Sequence, residues 1–149
     1  MEQAVKELRV GPRDFEVLAR QLAESGTQIR FRAYGSSMYP AIANGEFVTV
    51  APLEGADEVK VGDIVLGSVR GRLVAHRIVQ IRNSGEKRAM LMKGDSTSHV
   101  EEIRWEEVVG RVVMVERECM FPRRVRGKGW LRSRLLAKVL RTFLRSETE

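Results

Sequence analysis

The spacing of apolar residues changes three times along the chain. Over residues 12–25, Phe15, Leu18, Ala19 and Leu22 fall at i, i+3, i+4 and i+7, the spacing of one helix face. Pro12 suits the first turn of such a helix and Gly26 its end. Between Gln28 and Tyr34 the period shortens to two, with Ile29, Phe31 and Ala33 on one face, as in a half-buried strand. Short apolar runs follow at 47–50, 64–69, 73–81, 89–92 and 108–115. Arg70-Gly71-Arg72 and Asn83-Ser84-Gly85 stand between runs as turns. The pattern predicts a mainly β fold, a compact coiled sheet or barrel, with no alternation of strands and helices.

The third change comes near the C-terminus. Residues 121–129, FPRRVRGKG, read as a linker. Over 130–145, Leu131, Leu135, Leu136, Val139, Leu140, Phe143 and Leu144 form one stripe, while Arg134, Lys138, Arg141 and Arg145 follow another. This predicts a basic amphipathic helix. The segmentation is therefore 1–26, a helical segment; 27–120, the β domain; and 121–149, the basic linker and helix.

Charge sharpens that division. The net charge is +6, yet from Arg117 to Arg145 ten Lys and Arg face a single acid, Glu118, so the remainder is slightly acidic. Such a tail has three readings: an apolar stripe packed on the β domain, an interfacial helix on an anionic membrane surface through residues 128–145, or a site for another anionic partner, nucleic acid being the least favoured.

A length of 149 residues, 43% hydrophobic and 31% charged, suits one folded domain. Cys119 is the sole cysteine, which excludes an intramolecular disulfide. With only two histidines beside it, no cysteine-based metal site is expected, and no cofactor is implied. Residues 1–10 show neither the apolar core nor the cleavage pattern of a signal peptide. No run approaches the roughly 18 to 20 apolar residues of a spanning helix. The expected location is cytoplasmic, or peripheral on the inner membrane face.

The candidate chemistry lies in an ordered series of short boxes. Gly35-Ser36-Ser37-Met38-Tyr39-Pro40 follows the first predicted strand. Asn44-Gly45-Glu46-Phe47-Val48, Val61-Gly62-Asp63-Ile64-Val65, Ala75-His76-Arg77-Ile78-Val79 and Lys93-Gly94-Asp95 come after it. Over about residues 31–115 this series resembles the superfamily of signal peptidases and self-cleaving repressors, closest to its Ser-His type: the endoplasmic-reticulum, archaeal and spore-former signal peptidases. The resemblance implies a peptidase fold of that type, a serine endopeptidase acting on a leader- or signal-peptide-like segment of a peptide or precursor protein, Ser37 as nucleophile, His76 as base and Asp95 as its acidic partner. It also implies oxyanion or substrate contacts at Gly35, Ser36 and Met38. The chain departs from the family in three respects. Gly35 stands where many signal peptidases carry serine. Glu101 occupies the position of the second acid. The usual N-terminal anchor is not found.

The chemistry is coherent in itself. A serine hydroxyl needs an adjacent base to become a nucleophile. A neutral imidazole, ordinarily with a pKa near about 6.5, serves at neutral pH. A carboxylate on its far nitrogen fixes the tautomer and stabilises the imidazolium. Asp63 and Glu46, each after glycine, read as turn residues; His99 reads as a loop residue and Lys93 as a neighbour of Asp95 rather than a base. Two other functions fit the same residues: a catalytically lapsed relative that binds extended peptides, and a repressor-like regulatory module. Against the latter, there is room for only one helix before the β region, and neither Ala-Gly nor Cys-Gly, the usual self-cleavage dipeptides, occurs.

For the tail, the interfacial reading predicts co-sedimentation of the full-length protein with anionic vesicles and its loss on removing residues 128–149. Full-length protein that stays in the supernatant rules it out.

Overall fold

The computed structural model describes residues 8–84, 87–117, 123–124 and 140–143, with side chains over 10–83 and 88–117. The helix α1 spans Pro12–Glu24. Pro12 occupies the first turn, where its missing N–H is not needed, and Asp14 places an acid near the positive end. At the other end Gly26 has φ +74°, its N–H bonds to Ala23 O at 2.9 Å and the Thr27 N–H bonds to Leu22 O at 2.8 Å. These paired bonds close a helix on a left-handed residue, which glycine adopts without Cβ strain. Phe15 and Ala19 are buried, and the Phe15 ring meets the Phe31 ring edge-on, with centroids 5.0 Å apart.

The rest is mainly β. The strands are β1 (Leu8–Arg9), β2 (Ile29–Arg32), β3 (Phe47–Ala51), β4 (Ile64–Val69), β5 (Arg72–Ser84), β6 (Lys87–Lys93), β7 (Val100–Arg104), β8 (Val108–Glu116), β9 (Arg123–Arg124) and β10 (Leu140–Phe143). Across the sheet they run β1-β10-β2-β3-β8-β4-β5-β6-β7, with β9 paired to β8. Pairing is antiparallel from β2 to β7, while β10 lies parallel to β1 and β2. The sheet curls into a half-barrel.

Curling gives the sheet two cores. Phe15, Phe31, Met38, Ile42, Val50, Ile64 and Leu66 belong to one; Val59, Val65, Ile78, Met90, Met92 and Ile103 to the other. Strand β4 separates them: Ile64 and Leu66 face the first core and Val65 the second. That explains its continuous apolar run, since a strand buried on both faces shows no alternation. The turn from β4 to β5 is the two-residue loop Arg70-Gly71, with φ +50° and +74°, the geometry that matches strand twist.

Strand β5, 13 residues long, serves two ladders in succession. Residues 72–77 pair with β4, and β6 joins only from Arg77 onward. Among the described residues, the second edge of residues 72–76 has no strand partner.

Four expectations need correction. Asn83 and Ser84, expected in a turn, extend β5 and pair with Arg88 and Lys87, and Arg123–Arg124, expected in a linker, form β9 on the edge of β8, a tertiary pairing that local pattern does not encode. Strand β7 falls in a stretch where no strand was expected, because VEEIR carries no apolar alternation; only Ile103 among its residues is buried. Residues 140–143 form a strand on the edge of β2, so the basic amphipathic helix expected over 130–145 does not run through them. An unpaired edge offers a row of backbone donors and acceptors to whatever segment reaches it, and Leu140-Arg141-Thr142-Phe143 supplies the β-branched and aromatic residues that suit a strand. The remainder of that expected helix, and Cys119, lie outside the described residues.

Ile103 is the apolar anchor of β7, and Gly67 makes room for it: a Cβ on Gly67 would stand 2.2 Å from Ile103 Cδ1. Ile103→Ala is therefore expected to destabilise the fold by about 2–5 kcal/mol, measured by urea unfolding. A loss under about 1 kcal/mol, the range of an uncoupled surface position, counts against that anchoring.

Candidate active site

Ser37 lies in a tight loop directly after β2. Gly35 takes φ +106° at its start, which a residue with a Cβ adopts only under strain. The Gly35 N–H bonds to Asn44 Oδ1 at 2.8 Å. Within the loop the Tyr39 N–H bonds to Ser36 O at 3.1 Å and the Ile42 N–H to Met38 O at 2.9 Å. Met38 and Ile42 are buried in the first core and pin the loop from below, leaving Ser37 half-buried at its crest.

A second loop, between β6 and β7, presses on the first. The Ser96 N–H bonds to Ser37 O at 2.9 Å, and the Ser96 hydroxyl donates to Ser36 O. Gly94 makes the approach close enough: a Cβ there would stand 2.6 Å from Ser37 O and 3.0 Å from Ser37 Cβ. The Lys-Gly-Asp box thus has a steric reason for its glycine.

His76 sits on β5 with its side chain 12% exposed. Its Nε2 is 3.1 Å from Ser37 Oγ and its Nδ1 is 2.9 Å from Glu101 Oε2. An ionised carboxylate only accepts hydrogen bonds, so with Glu101 ionised Nδ1 carries the proton. A neutral ring then keeps its lone pair on Nε2 and accepts the Ser37 hydroxyl proton. The result is a continuous Ser37–His76–Glu101 chain, oriented for proton transfer away from the serine.

Asp95, expected beside His76, is placed elsewhere. Both its oxygens accept from Arg77, Oδ1 from Nε at 2.8 Å and Oδ2 from Nη2 at 2.7 Å, while Arg77 Nη1 bonds to Gly62 O at 2.8 Å. The reason is strand alternation: Arg77 and His76 point to opposite faces of β5, and Asp95 meets the face bearing Arg77. Its hydrogen bonds raise the Arg77 pKa above the ordinary guanidinium value, burial opposing and the carboxylate charge adding to the rise, so Arg77 holds its charge throughout the neutral range. Glu101 reaches His76 from β7, where it faces Met92 of β6.

The remaining candidates sort themselves by contacts. The Gly35 N–H is already engaged by Asn44, and Ser36 O accepts two donors. The backbone N–H groups of Ser37 and Met38 enter no hydrogen bond among the described residues and are the donors left for an anionic oxygen beside Ser37. Asp63 Oδ2 accepts from the Lys60 N–H at 2.9 Å and pairs with Arg111 at 3.3 Å; Glu46 accepts from the Ala43 N–H at 2.8 Å and pairs with Arg117 at 3.2 Å. Both serve turns. His99 is exposed. Among the described residues no three His, Cys, Asp or Glu cluster as metal ligands, and no helix is long and apolar enough to cross a membrane.

A cleft of about 350 Å³ opens beside Ser37. Ala33, Tyr34 and Gly35 border one side, and Leu73, Val74 and Ala75, on the edge of β5 without a strand partner among the described residues, the other. Phe15, Phe31, Ile42 and Leu66 contribute to its lining.

Searches against protein-family models and against curated proteins find no match to this chain.

The geometry makes a prediction that needs no substrate. In nitrogen NMR at neutral pH, the His76 proton is expected on Nδ1, and Glu101→Ala is expected to release that preference while Asp95→Ala preserves it. A tautomer that responds to Asp95 and ignores Glu101 contradicts the arrangement.

Proposed function

We propose that the protein is a serine endopeptidase of the signal-peptidase and repressor type, cutting an extended, leader-like peptide segment through an acyl-enzyme on Ser37. The observation that carries this reading is the hydrogen-bonded chain from Ser37 Oγ through His76 to Glu101, at a cleft bordered by a strand edge that has no strand partner among the described residues.

In the proposed reaction, Ser37 Oγ attacks the scissile carbonyl carbon as His76 Nε2 takes the hydroxyl proton. Glu101 stabilises the resulting imidazolium. The carbonyl oxygen, now anionic, meets the N–H groups of Ser37 and Met38; a good donor of this kind contributes about 3–4 kcal/mol. The C–N bond breaks as His76 passes its proton to the leaving amine. Water, deprotonated by His76, then attacks the ester carbon; the C–Oγ bond breaks as His76 returns that proton to Ser37 Oγ, and the new carboxyl terminus of the peptide leaves.

The substrate form follows from the strand edge. Residues 72–76 of β5 present backbone donors and acceptors on the side facing the cleft, and an extended peptide satisfies such a row by adding as a strand. The cleft's apolar lining at Ser37 suits small or apolar side chains beside the cut. Asp95, locked to Arg77, is assigned a positioning role: it holds the loop that carries Gly94 and Ser96 against Ser37. Contact of the basic tail with an anionic membrane surface remains part of the proposal and would bring the cleft to membrane-associated precursors.

The test is cleavage of a diverse extended-peptide library near pH 8, read by mass spectrometry. Wild type is expected to cut, and Ser37→Ala and His76→Ala to abolish cutting. Glu101→Gln is expected to lower kcat by about 10³- to 10⁴-fold, as loss of a triad acid does elsewhere, and Asp95→Asn to cost much less. Cutting that persists in Ser37→Ala assigns the chemistry to another residue. Folded wild type that binds library peptides without cutting them favours the lapsed binding module.

A further inference from the structure

The cleft beside Ser37 is charged in one sense only. Its lining includes two arginines, Arg32 and Arg72, and no carboxylate. Arg32 is committed to the fold: its Nη1 bonds to Gly45 O at 3.0 Å, and its guanidinium lies 4.4 Å from the centroid of the Phe47 ring. Arg72 is different. It is exposed, it opens β5 directly after the Arg70-Gly71 turn, and it has no ion-pair partner among the described residues. An arginine placed in a cleft without a carboxylate is a recognition element in search of an anion.

Its position on the strand sets what it reads. Arg72, Val74 and His76 occupy alternate positions in an unbulged stretch paired to β4, so they share one face. Arg72 lies four residues from His76, about 13 Å at roughly 3.3 Å per residue. A peptide added along this edge, with its scissile bond at Ser37 and His76, carries its fourth residue from the cut past the Arg72 guanidinium.

We propose that Arg72 is a specificity-determining residue that selects an acidic side chain three to five residues from the scissile bond, on the side of the peptide lying along residues 72–76. This rests on the proposed mode of extended-peptide binding, though not on catalysis. The substrate class becomes narrower: a leader-like segment with small or apolar residues at the cut and a Glu or Asp about one cleft-length away. A charge-assisted hydrogen bond of this kind contributes about 1.5–3 kcal/mol, which corresponds to roughly a ten- to hundredfold preference.

The test uses the full-length Ser37→Ala protein, so that binding is read without turnover. Fluorescently labelled extended peptides, identical except for Glu, Ala or Lys scanned at each of six positions either side of a small-residue centre, are titrated by anisotropy at fixed low salt. Glu is expected to bind at least tenfold tighter than Lys at one position only, three to five residues from the centre. Arg72→Glu in the same background is expected to reverse that preference, and Arg82→Glu, farther along β5, to leave it intact. A uniform preference for acidic peptides at every position, or a preference unmoved by Arg72→Glu, overturns the proposal, as does the absence of any peptide binding. Cleavage of the best binder by the protein with Ser37 restored is scored separately. Position-specific binding without cleavage sustains the role of Arg72 while refuting the peptidase reading.

Discussion

Among the described residues, strand β5 is paired on both edges only at Arg77, and the site follows from where it changes partner. Residues 72–77 are held by β4 and the remainder by β6, with a bulge near Val79 that re-aims the strand. His76 stands at the changeover. Before it, the strand's second edge has no strand partner among the described residues and borders a cleft. After it, β6 and β7 are close enough to deliver Glu101 to the far side of the imidazole. Extending β6 pairing toward Arg72 would close the cleft edge, and shortening it would withdraw β7 and its acid.

The second constraint is the contact of two loops across the sheet. Ser37 belongs to a loop after β2, while the residues that fix it, Gly94 and Ser96, come from the loop between β6 and β7. These segments are some sixty residues apart in the chain, and the curl of the sheet brings them together. The same curl produces two cores, and β4 contributes to both. Packing that closes the half-barrel is therefore packing that sets the Ser37–His76 distance, since interiors at close-packed density transmit small displacements.

How much of this was legible depended on whether apolar periodicity carried the information. The helix at Pro12, the strand before Gly35, the runs from 64 to 81 and the Arg70-Gly71 turn all have clear patterns, and each forms within a few residues of its expected place. The proximity of Ser37 and His76 was legible only from the ordered boxes, since nothing in local spacing relates residues 39 apart. Strand β7 was not legible. Its residues Val100, Glu102 and Arg104 are exposed, and Ile103 alone supplies an apolar signal. That strand carries the acid found on His76; Asp95 was expected there for another reason, the match of Lys93-Gly94-Asp95 to the family's box, while Glu101 stood at the position of the second acid. In the tail, seven apolar residues at helical spacing outweighed strand propensity in a reading that had no knowledge of the open edge of β2; residues 140–143 pair with that edge, a tertiary contact that local pattern does not encode.

The division of the two acids has an electrostatic logic. Two carboxylates free to approach one imidazole would compete for the same proton and repel each other. Here they are separated by the strand itself: Glu101 lies on the face with His76, and Asp95 on the face with Arg77. Arg77 compensates Asp95 with two hydrogen bonds and a full charge, so little of that carboxylate's field is left to act on the ring. Glu101 alone then sets which nitrogen carries the proton. The arrangement uses adjacent residues of opposite orientation, His76 and Arg77, to keep an orienting acid and a bracing acid apart. Reversing the order of those two residues would preserve composition and charge, yet it would turn the imidazole away from Ser37 and put a guanidinium in its place.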